Sequence, residues 1–185
     1  MPKLLLFACL LPLSMLAQPE DWETFKSFEG RFKVQVPGEM TTSIDSVETP
    51  VGPLAYTTLY YQPPKDDKQA ENLMYMVSFC DYPEGALHQD SAALLEEFFE
   101  TTMEAGAFSI DGALQYQTER NLGEAKGRFW RIDYLDGNAV LKTWALVSGN
   151  RFYSLQTATV KTKTLNASND RFFDSFKIIP PEAGP

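Results

Sequence analysis

The sequence is poor in the residues that carry most metal and nucleophile chemistry. It has one histidine, His88, and two cysteines, Cys9 and Cys80. A single histidine excludes a His-rich metal site and most catalytic sites that are centred on histidine. The G-x-S-x-G, H-E-x-x-H, C-x-x-C, P-loop and dinucleotide-binding motifs are also missing. We therefore predict no catalytic residue of these kinds, no metal site and no cofactor.

Basic residues are also scarce. Lysine and arginine number 16 against 25 aspartates and glutamates, which gives a formal net charge of −9. Because nucleic-acid binding requires basic side chains to neutralise phosphates, this balance argues against a nucleic-acid partner. The hydrophobic fraction of 44% and the length of 185 residues are typical of one folded domain rather than a disordered chain.

No apolar run is long enough to form a stable membrane span. The longest, residues 4–16, is interrupted by Pro12 and falls short of the about 20 residues that a bilayer requires. Lys3 precedes this run and the small residue Ala17 follows it. A positive start, a short apolar core and a small terminal residue are typical of a secretory signal peptide, which we assign to residues 1–17. A buried N-terminal helix is the alternative.

Cleavage after Ala17 would produce an exported chain, periplasmic or secreted, that begins at Gln18. Cys80 would then be the only cysteine, so no internal disulfide is predicted. Residues 6–9 resemble a lipobox, but only five apolar residues precede Cys9, and we predict no lipid anchor.

The mature chain is predicted to form a single α+β domain over residues 18–179, followed by a disordered tail over residues 180–185. Alternating apolar residues predict strands, at Phe32–Val36, Ser43–Val47, Leu54–Tyr61, Asn72–Tyr82, Ala113–Leu122, Lys126–Leu135, Asn138–Val147 and Arg151–Val160. Helical periodicity predicts a helix over Asp90–Ala105, capped by Asp90 or Ser91 and ended by Gly106. A second helix starts near Ala167 and carries three phenylalanines, Phe172, Phe173 and Phe176.

Two tight turns set the register of the last three strands. Asp136-Gly137 and Gly149-Asn150 are typical two-residue hairpin turns. The residue numbers of two paired residues should therefore add up to 273 across the first turn and to 299 across the second. This register places on one face an apolar set that a helix should cover: Trp130, Ile132, Tyr134, Ala139, Leu141, Thr143, Ala145, Val147, Phe152, Ala158 and Val160. The other face is apolar at one end only, at Phe129, Trp144, Leu146, Tyr153 and Leu155.

Two interpretations of this aromatic set remain open. Two amphipathic helices are available, which favours a structure in which the second helix covers Phe129, Trp144, Leu146, Tyr153 and Leu155. If the set is not covered, it is an exposed patch that would bind an unidentified protein or small ligand. The five residues are our predicted binding site.

The layout of strands, one long helix, a four-stranded meander and a terminal helix resembles the PsbP-like superfamily. The segment Phe32-Lys33-Val34-Gln35-Val36-Pro37-Gly38 resembles that family's opening motif, and Phe172-Phe173-Asp174-Ser175-Phe176 resembles its closing F-x-S-F motif. The superfamily includes the extrinsic PsbP protein of photosystem II, a nuclear Ran-binding factor and many bacterial exported proteins of unknown role. The resemblance implies an antiparallel sheet sandwiched between helices, a PsbP-like α/β/α sandwich, and no chemistry.

Three smaller groups have both a functional and a structural interpretation. Cys80 and His88 are the only pair that could make a nucleophile and its base, but a buried cysteine is commonly inert. The acidic series Glu96, Glu100 and Glu104 could attract Ca²⁺ or a basic partner, yet a straight helix cannot wrap an ion and a solvated face is favoured. The sequon at residues 166–168 is interpreted as a helix cap.

These observations favour an exported, non-enzymatic protein that binds a protein or a small ligand. A carboxylate-based hydrolase of the cell envelope, using carboxylates such as Asp133 or Glu119, is the alternative because it needs no histidine; it would require two carboxylates that converge in one pocket. A third hypothesis is an assembly or chaperone role for another envelope protein.

Overall fold

The computed structural model describes residues 22–87 and 90–180. Its main feature is a seven-stranded antiparallel sheet with the order β3-β4-β5-β9-β8-β7-β6. The strands are β3 (Thr41–Thr49), β4 (Gly52–Tyr61), β5 (Met74–Asp81), β6 (Ala113–Glu119), β7 (Lys126–Tyr134), β8 (Ala139–Ser148) and β9 (Arg151–Val160). β3 and β6 are the two edge strands.

A smaller sheet joins the two ends of the described chain. β1 (Glu23–Ser27) and β10 (Lys177–Ile178) pair with opposite edges of β2 (Phe32–Val36). The sequence analysis predicted β2 with these bounds but predicted neither β1 nor β10. β10 has only two residues, too few to show a period, and only one residue of β1, Phe25, is apolar.

Two helices complete the domain, α1 (Ala92–Ser109) and α2 (Ala167–Ser175). The prediction that Gly106 ends the first helix is wrong, because α1 continues through it to Ser109. Ser91 occupies the N-cap position, but its side chain makes no capping hydrogen bond. The cap predicted at Asn166 is confirmed, since its side chain accepts a hydrogen bond from the Asn169 backbone N–H at 2.8 Å.

The predicted register of the meander is confirmed. Tyr134 pairs with Ala139 and Ser148 pairs with Arg151, which match the sums of 273 and 299. Asp136 and Gly137 have φ angles of 53° and 79°, so both central residues of this turn adopt the positive φ that the hairpin needs.

The large sheet buries an apolar cluster on each face. On one face, Leu95, Phe99 and Met103 of α1 pack on the predicted core face that includes Trp130 and Ile132. On the other face, α2 and β2 cover a second cluster. The layers are therefore α1, the large sheet, and a mixed layer of α2 with the small sheet, rather than helices alone on both faces.

The predicted signal peptide over residues 1–17 lies outside the described residues, as does most of the predicted tail. Among the helices that the structure describes, neither is long and apolar enough to cross a bilayer.

Candidate binding groove

A groove of about 430 Å³ lies between the first half of α1 and the ends of β6 and β7. Its apolar lining includes Leu95 and Phe99 of α1, which are both buried. Charged and polar side chains form much of the remaining lining, namely Asp90, Glu96, Glu119, Asn121, Lys126 and Arg128. We call this cavity the α1 groove. Apolar walls with a few convergent polar groups are typical of binding sites.

Arg128 is the main charged group of the α1 groove, and strand alternation places it there. It lies two residues before Trp130 on β7, so it continues the face that α1 covers. Its guanidinium forms an ion pair with Glu96 of α1 and donates to Gln117 Oε1 of β6 at 2.7 Å. The guanidinium also lies 5.9 Å from the centre of the Phe99 ring. Arg128 therefore connects α1, β6 and β7 at one point.

Asn121 and Lys126 shape the other wall. Asn121 Oδ1 accepts a hydrogen bond from the Gly127 N–H at 2.9 Å, and its amide donates to Glu119 Oε1 at 2.5 Å. Lys126 has neither an ion pair nor a hydrogen bond from its side chain within the described ranges. The groove thus has a hydrogen-bonded polar turn beside one cation that has no partner among the described residues.

The outer boundary of the groove is the edge of the large sheet. Among the described strands, β6 pairs with β7 alone, and all seven of its residues are exposed. Its apolar residues Leu114 and Tyr116 are 42% and 45% exposed. The Tyr116 ring stacks on Phe129, with ring centres 6.5 Å apart. An edge strand presents unpaired N–H and C=O groups, so it can pair with another chain.

The predicted aromatic patch is not a surface. Trp144, Leu146, Tyr153 and Leu155 are all at most 3% exposed, and only Phe129 is partly buried. The helix-covered interpretation is therefore the one that the structure shows. Phenylalanines of α2 and of its C-cap cover this end of the sheet: the Phe173 ring lies 5.3 Å from Phe129, and the ring of the C-cap residue Phe176 lies 6.1 Å from Trp144 and 5.7 Å from Tyr153.

Arg120 closes the outer side of the same aromatic cluster. Its guanidinium lies 4.2 Å from the Trp144 ring centre and pairs with Asp174 of α2 at 2.6 Å. Trp144 Nε1 donates to the Arg120 carbonyl at 2.8 Å. With its indole N–H bonded and its faces covered, Trp144 stabilises the core and is not accessible to a ligand.

Cys80 is a buried structural residue. Its residue exposure is 2%, and burial raises the pKa of its thiol to about 11. A thiol with this pKa is protonated at neutral pH, whereas the nucleophile is the thiolate. The other half of the predicted pair, His88, lies outside the described residues.

The carboxylates of the hydrolase hypothesis do not share a pocket. Ala113 pairs with Asp133 and Glu119 pairs with Arg128, so the two carboxylates lie at opposite ends of the β6–β7 ladder. Five residues along β7 correspond to about 17 Å, beyond the about 5 to 9.5 Å at which paired carboxylates cleave glycosides. Asp133 also forms ion pairs with Arg131, at 2.6 Å, and with Lys161. These hydrogen bonds, mainly that from Arg131, lower its pKa. Asp133 and Glu119 therefore do not form a pair of carboxylates.

The acidic series on α1 is mostly solvated. Glu96 pairs with Arg128, whereas Glu100 and Glu104 are exposed and have no ion pair among the described residues. No group of three metal-ligating side chains occurs in the described part of the chain.

Arg128 and Asn121 are not among the residues that the sequence predicts for a site. A signal for Arg128 was present, because Lys126 and Arg128 alternate ahead of Trp130 and Ile132 on the face assigned to the core. When charged residues continue the apolar face of a strand, they are expected to lie where the helix that covers this face ends. Asn121 had no such signal, since its role depends on the turn that returns to Gly127.

Comparison with known proteins finds no matching family model and no matching curated protein. Among solved structures, the chain is similar to cyanobacterial PsbP from Synechocystis, with 11% identity and a TM-score of 0.57, over 86% of this chain and 93% of that one. A protein of unknown function from Pseudomonas aeruginosa has 9% identity and a TM-score of 0.36, over 77% and 85% of the respective chains. The layers of the domain and the match to cyanobacterial PsbP together establish that this chain has a PsbP-like fold.

Proposed function

We propose that the chain is an exported, non-enzymatic binding or assembly protein that holds a partner protein at the α1 groove and the adjoining edge of β6. The observation that carries this proposal is the juxtaposition of the two features. Glu119 ends the edge strand and also lines the groove. When a peptide adds a strand to a sheet, main-chain hydrogen bonds at the edge give affinity, and neighbouring pockets that accept its side chains give specificity.

The state of the ionisable groups supports binding over catalysis. Burial keeps the Cys80 thiol protonated by raising its pKa to about 11, and hydrogen bonds from Arg131 and Lys161 lower the pKa of Asp133, so neither group changes its protonation state near neutral pH. Arg128 and Glu96 neutralise one another inside the groove. Its apolar walls and its internal ion pair suit the groove to hold a segment of a partner.

Export is supported by the pattern of residues 1–17, with Lys3 ahead of an apolar run that ends at Ala17. Expression of the full chain in a bacterium followed by N-terminal sequencing of the exported product tests this part. We expect a chain that begins at Gln18. A full-length product that stays in the cytoplasm would contradict export.

Site-specific crosslinking tests the binding surface. With the photocrosslinking residue p-benzoylphenylalanine in place of Tyr116, we expect one defined crosslinked protein; in place of Val47, on the opposite edge strand, we expect none. The captured protein is then purified and titrated against the unmodified chain by calorimetry. A crosslink that forms equally at both positions would contradict the proposal.

The groove itself is tested by filling it. Ala92 is exposed and lines the α1 groove, so Ala92→Trp would occupy the cavity without entering the core. We expect the dissociation constant for the captured protein to rise at least tenfold. Ala105→Trp is the matched control, because Ala105 is exposed on the same helix and does not line the groove. Equal affinities for the two variants would exclude the groove as the site.

A further inference from the structure

We infer that the partner segment is an extended, basic strand, with lysine or arginine at alternate positions, that adds to the edge of β6 beside the glutamates of α1. This inference rests on the proposed function and specifies the chemistry of the partner. Three observations lead to it: the geometry of the edge, the spacing of the carboxylates and the local balance of charge.

The half of β6 next to the groove is the suitable part of the edge. Residues 116–119 pair in regular register with residues 128–131 of β7, whereas the ladder shifts between Leu114 and Tyr116. Bulges protect an edge strand from pairing, and lysine and proline do the same. β6 contains neither lysine nor proline, so residues 116–119 are left without these protections.

The acidic residues of α1 lie on a helix that contacts β6. α1 and β6 are consecutive elements that run back along one another, and the α1 groove brings Glu96 near Glu119. Glu96, Glu100 and Glu104 are each four residues apart, which is about 6 Å along a helix. Alternate side chains on one face of a strand are about 6.8 Å apart. A strand added to β6 could therefore place successive basic side chains opposite successive glutamates.

The charges next to the edge are not balanced within the chain. Arg128 neutralises Glu96, but Glu100, Glu104 and Glu119 have no cationic partner among the described residues. Lys126, which has no ion pair within the described part of the chain, lines the groove with Glu119. A basic segment would compensate the remaining carboxylates, whereas an acidic one would be repelled.

The same charges argue against a second copy of this chain as the occupant. Antiparallel pairing of β6 with its own copy about a two-fold axis would keep both α1 helices on the same side of the joined sheet. The two acidic rows would then flank one interface, with Glu100 and Glu104 of both copies contributing. Like charges of this kind oppose association, so we assign the edge to a different, basic chain.

Two synthetic peptides of identical composition provide the test. One is an eight-residue peptide that alternates lysine and threonine, and the other carries four threonines followed by four lysines. Binding to the full chain is measured by fluorescence anisotropy at about 50 mM salt, where a Debye length of about 14 Å leaves charge pairs effective. We expect the alternating peptide to bind at least tenfold more tightly and to shift the amide resonances of residues 116–119.

A matched pair of double variants tests the carboxylates. Glu100→Lys with Glu104→Lys should weaken binding of the alternating peptide at least tenfold. Asp45→Lys with Glu48→Lys makes the same change of net charge on β3, the opposite edge, and should change the affinity less than twofold. All four side chains are exposed, so both variants are expected to fold.

Equal affinities for the two peptides would overturn the inference, because net charge alone would then explain binding. An equal loss in the two double variants would overturn it for the same reason. So would a concentration-dependent dimer that crosslinks through Tyr116 to a second copy. If the Tyr116 crosslink and the effect of Ala92→Trp persist but the alternating peptide does not bind, the inference fails while the proposed function stands.

Discussion

Arg151 and Asp81 face one another at the end of the β5–β9 ladder and form a two-pronged ion pair. The Arg151 guanidinium donates from Nε at 2.6 Å and from Nη2 at 2.5 Å to the two oxygens of the Asp81 carboxylate. Its third nitrogen, Nη1, donates to the Glu29 carbonyl at 2.6 Å, in the turn that joins β1 to β2. One nearly buried arginine thus fastens the small sheet to the large one.

This ion pair makes stability depend on pH. The hydrogen bonds from Arg151 hold the pKa of Asp81 below its usual range. The stabilisation is therefore complete above the unfolded pKa of about 3.9 and is lost as the pH falls through the lower folded pKa. We expect Asp81→Asn to destabilise the protein at pH 6 and to have a smaller effect at pH 2.5. Urea unfolding at both pH values measures the difference.

Because the Asp81 side chain is 49% exposed, the effect at pH 6 is expected to be modest, about 1 kcal/mol. Asp45→Asn on the exposed edge strand β3 is the control, with an expected effect near zero at either pH. A destabilisation by Asp81→Asn that is the same at pH 6 and pH 2.5 would contradict the role of the charge.

Replacing each of two glycines by alanine is predicted to change the stability of the protein in opposite directions. Gly106 lies inside α1, where an added Cβ would meet only the Ile132 side chain at 3.9 Å, so Gly106→Ala should stabilise the protein by about 0.5–1 kcal/mol. Gly127 lines the groove, and its Cβ would lie 2.3 Å from the Arg120 carbonyl oxygen. Gly127→Ala should destabilise the protein by about 1–3 kcal/mol. Thermal unfolding of both variants checks the two signs.

Phe176 is predicted to be a main link between α2 and the large sheet. It is 1% exposed, and its ring contacts Phe32, Trp144 and Tyr153. Phe176→Ala should therefore reduce the free energy of unfolding by about 3–5 kcal/mol. Phe108→Ala is the control, because Phe108 is 89% exposed and should change stability by less than about 0.5 kcal/mol. Denaturant unfolding with both variants measures the contrast, and similar losses would refute it.

Cys80 is predicted to react with thiol reagents only after unfolding. Burial and the raised pKa of about 11 leave very little accessible thiolate at pH 8. In the Cys9→Ser chain, which retains Cys80 alone, labelling by a coloured disulfide reagent should be at least a hundredfold slower in buffer than in concentrated urea. Fast labelling of the folded protein would show that the thiol is exposed.

The meander could be predicted in detail because its determinants are local. Alternation over ten residues defines β9 as Arg151–Val160, and the turn residues Asp136 and Gly137 set the register that the structure shows. The end of α1 could not be predicted in this way. Gly106 often ends a helix, but here contacts of the flanking residues Met103 and Ala107 with the sheet outweigh its weak helical preference.

The groove depends on elements that are distant in the sequence. Glu96 and Arg128 are 32 residues apart, and their contact requires α1 to cross the face of β7. Periodicity gives the face on which Arg128 lies but not the position of the helix over that face. The acidic series of α1 could therefore be recognised in the sequence, whereas the contact of Glu96 with Arg128 across the groove could not be predicted.

The residue order by itself determined the strands of the meander, the register of its hairpins and the scarcity of groups for metal or nucleophile chemistry, because these depend on side-chain type and short-range spacing. Only the tertiary structure decided what covers the second apolar face of the sheet. Trp144 and Tyr153 could have formed an exposed patch until Phe176 and β2 were placed over them. Burial of apolar area gains the same free energy from any partner, so the alternation of a strand marks a face as apolar without specifying what covers it.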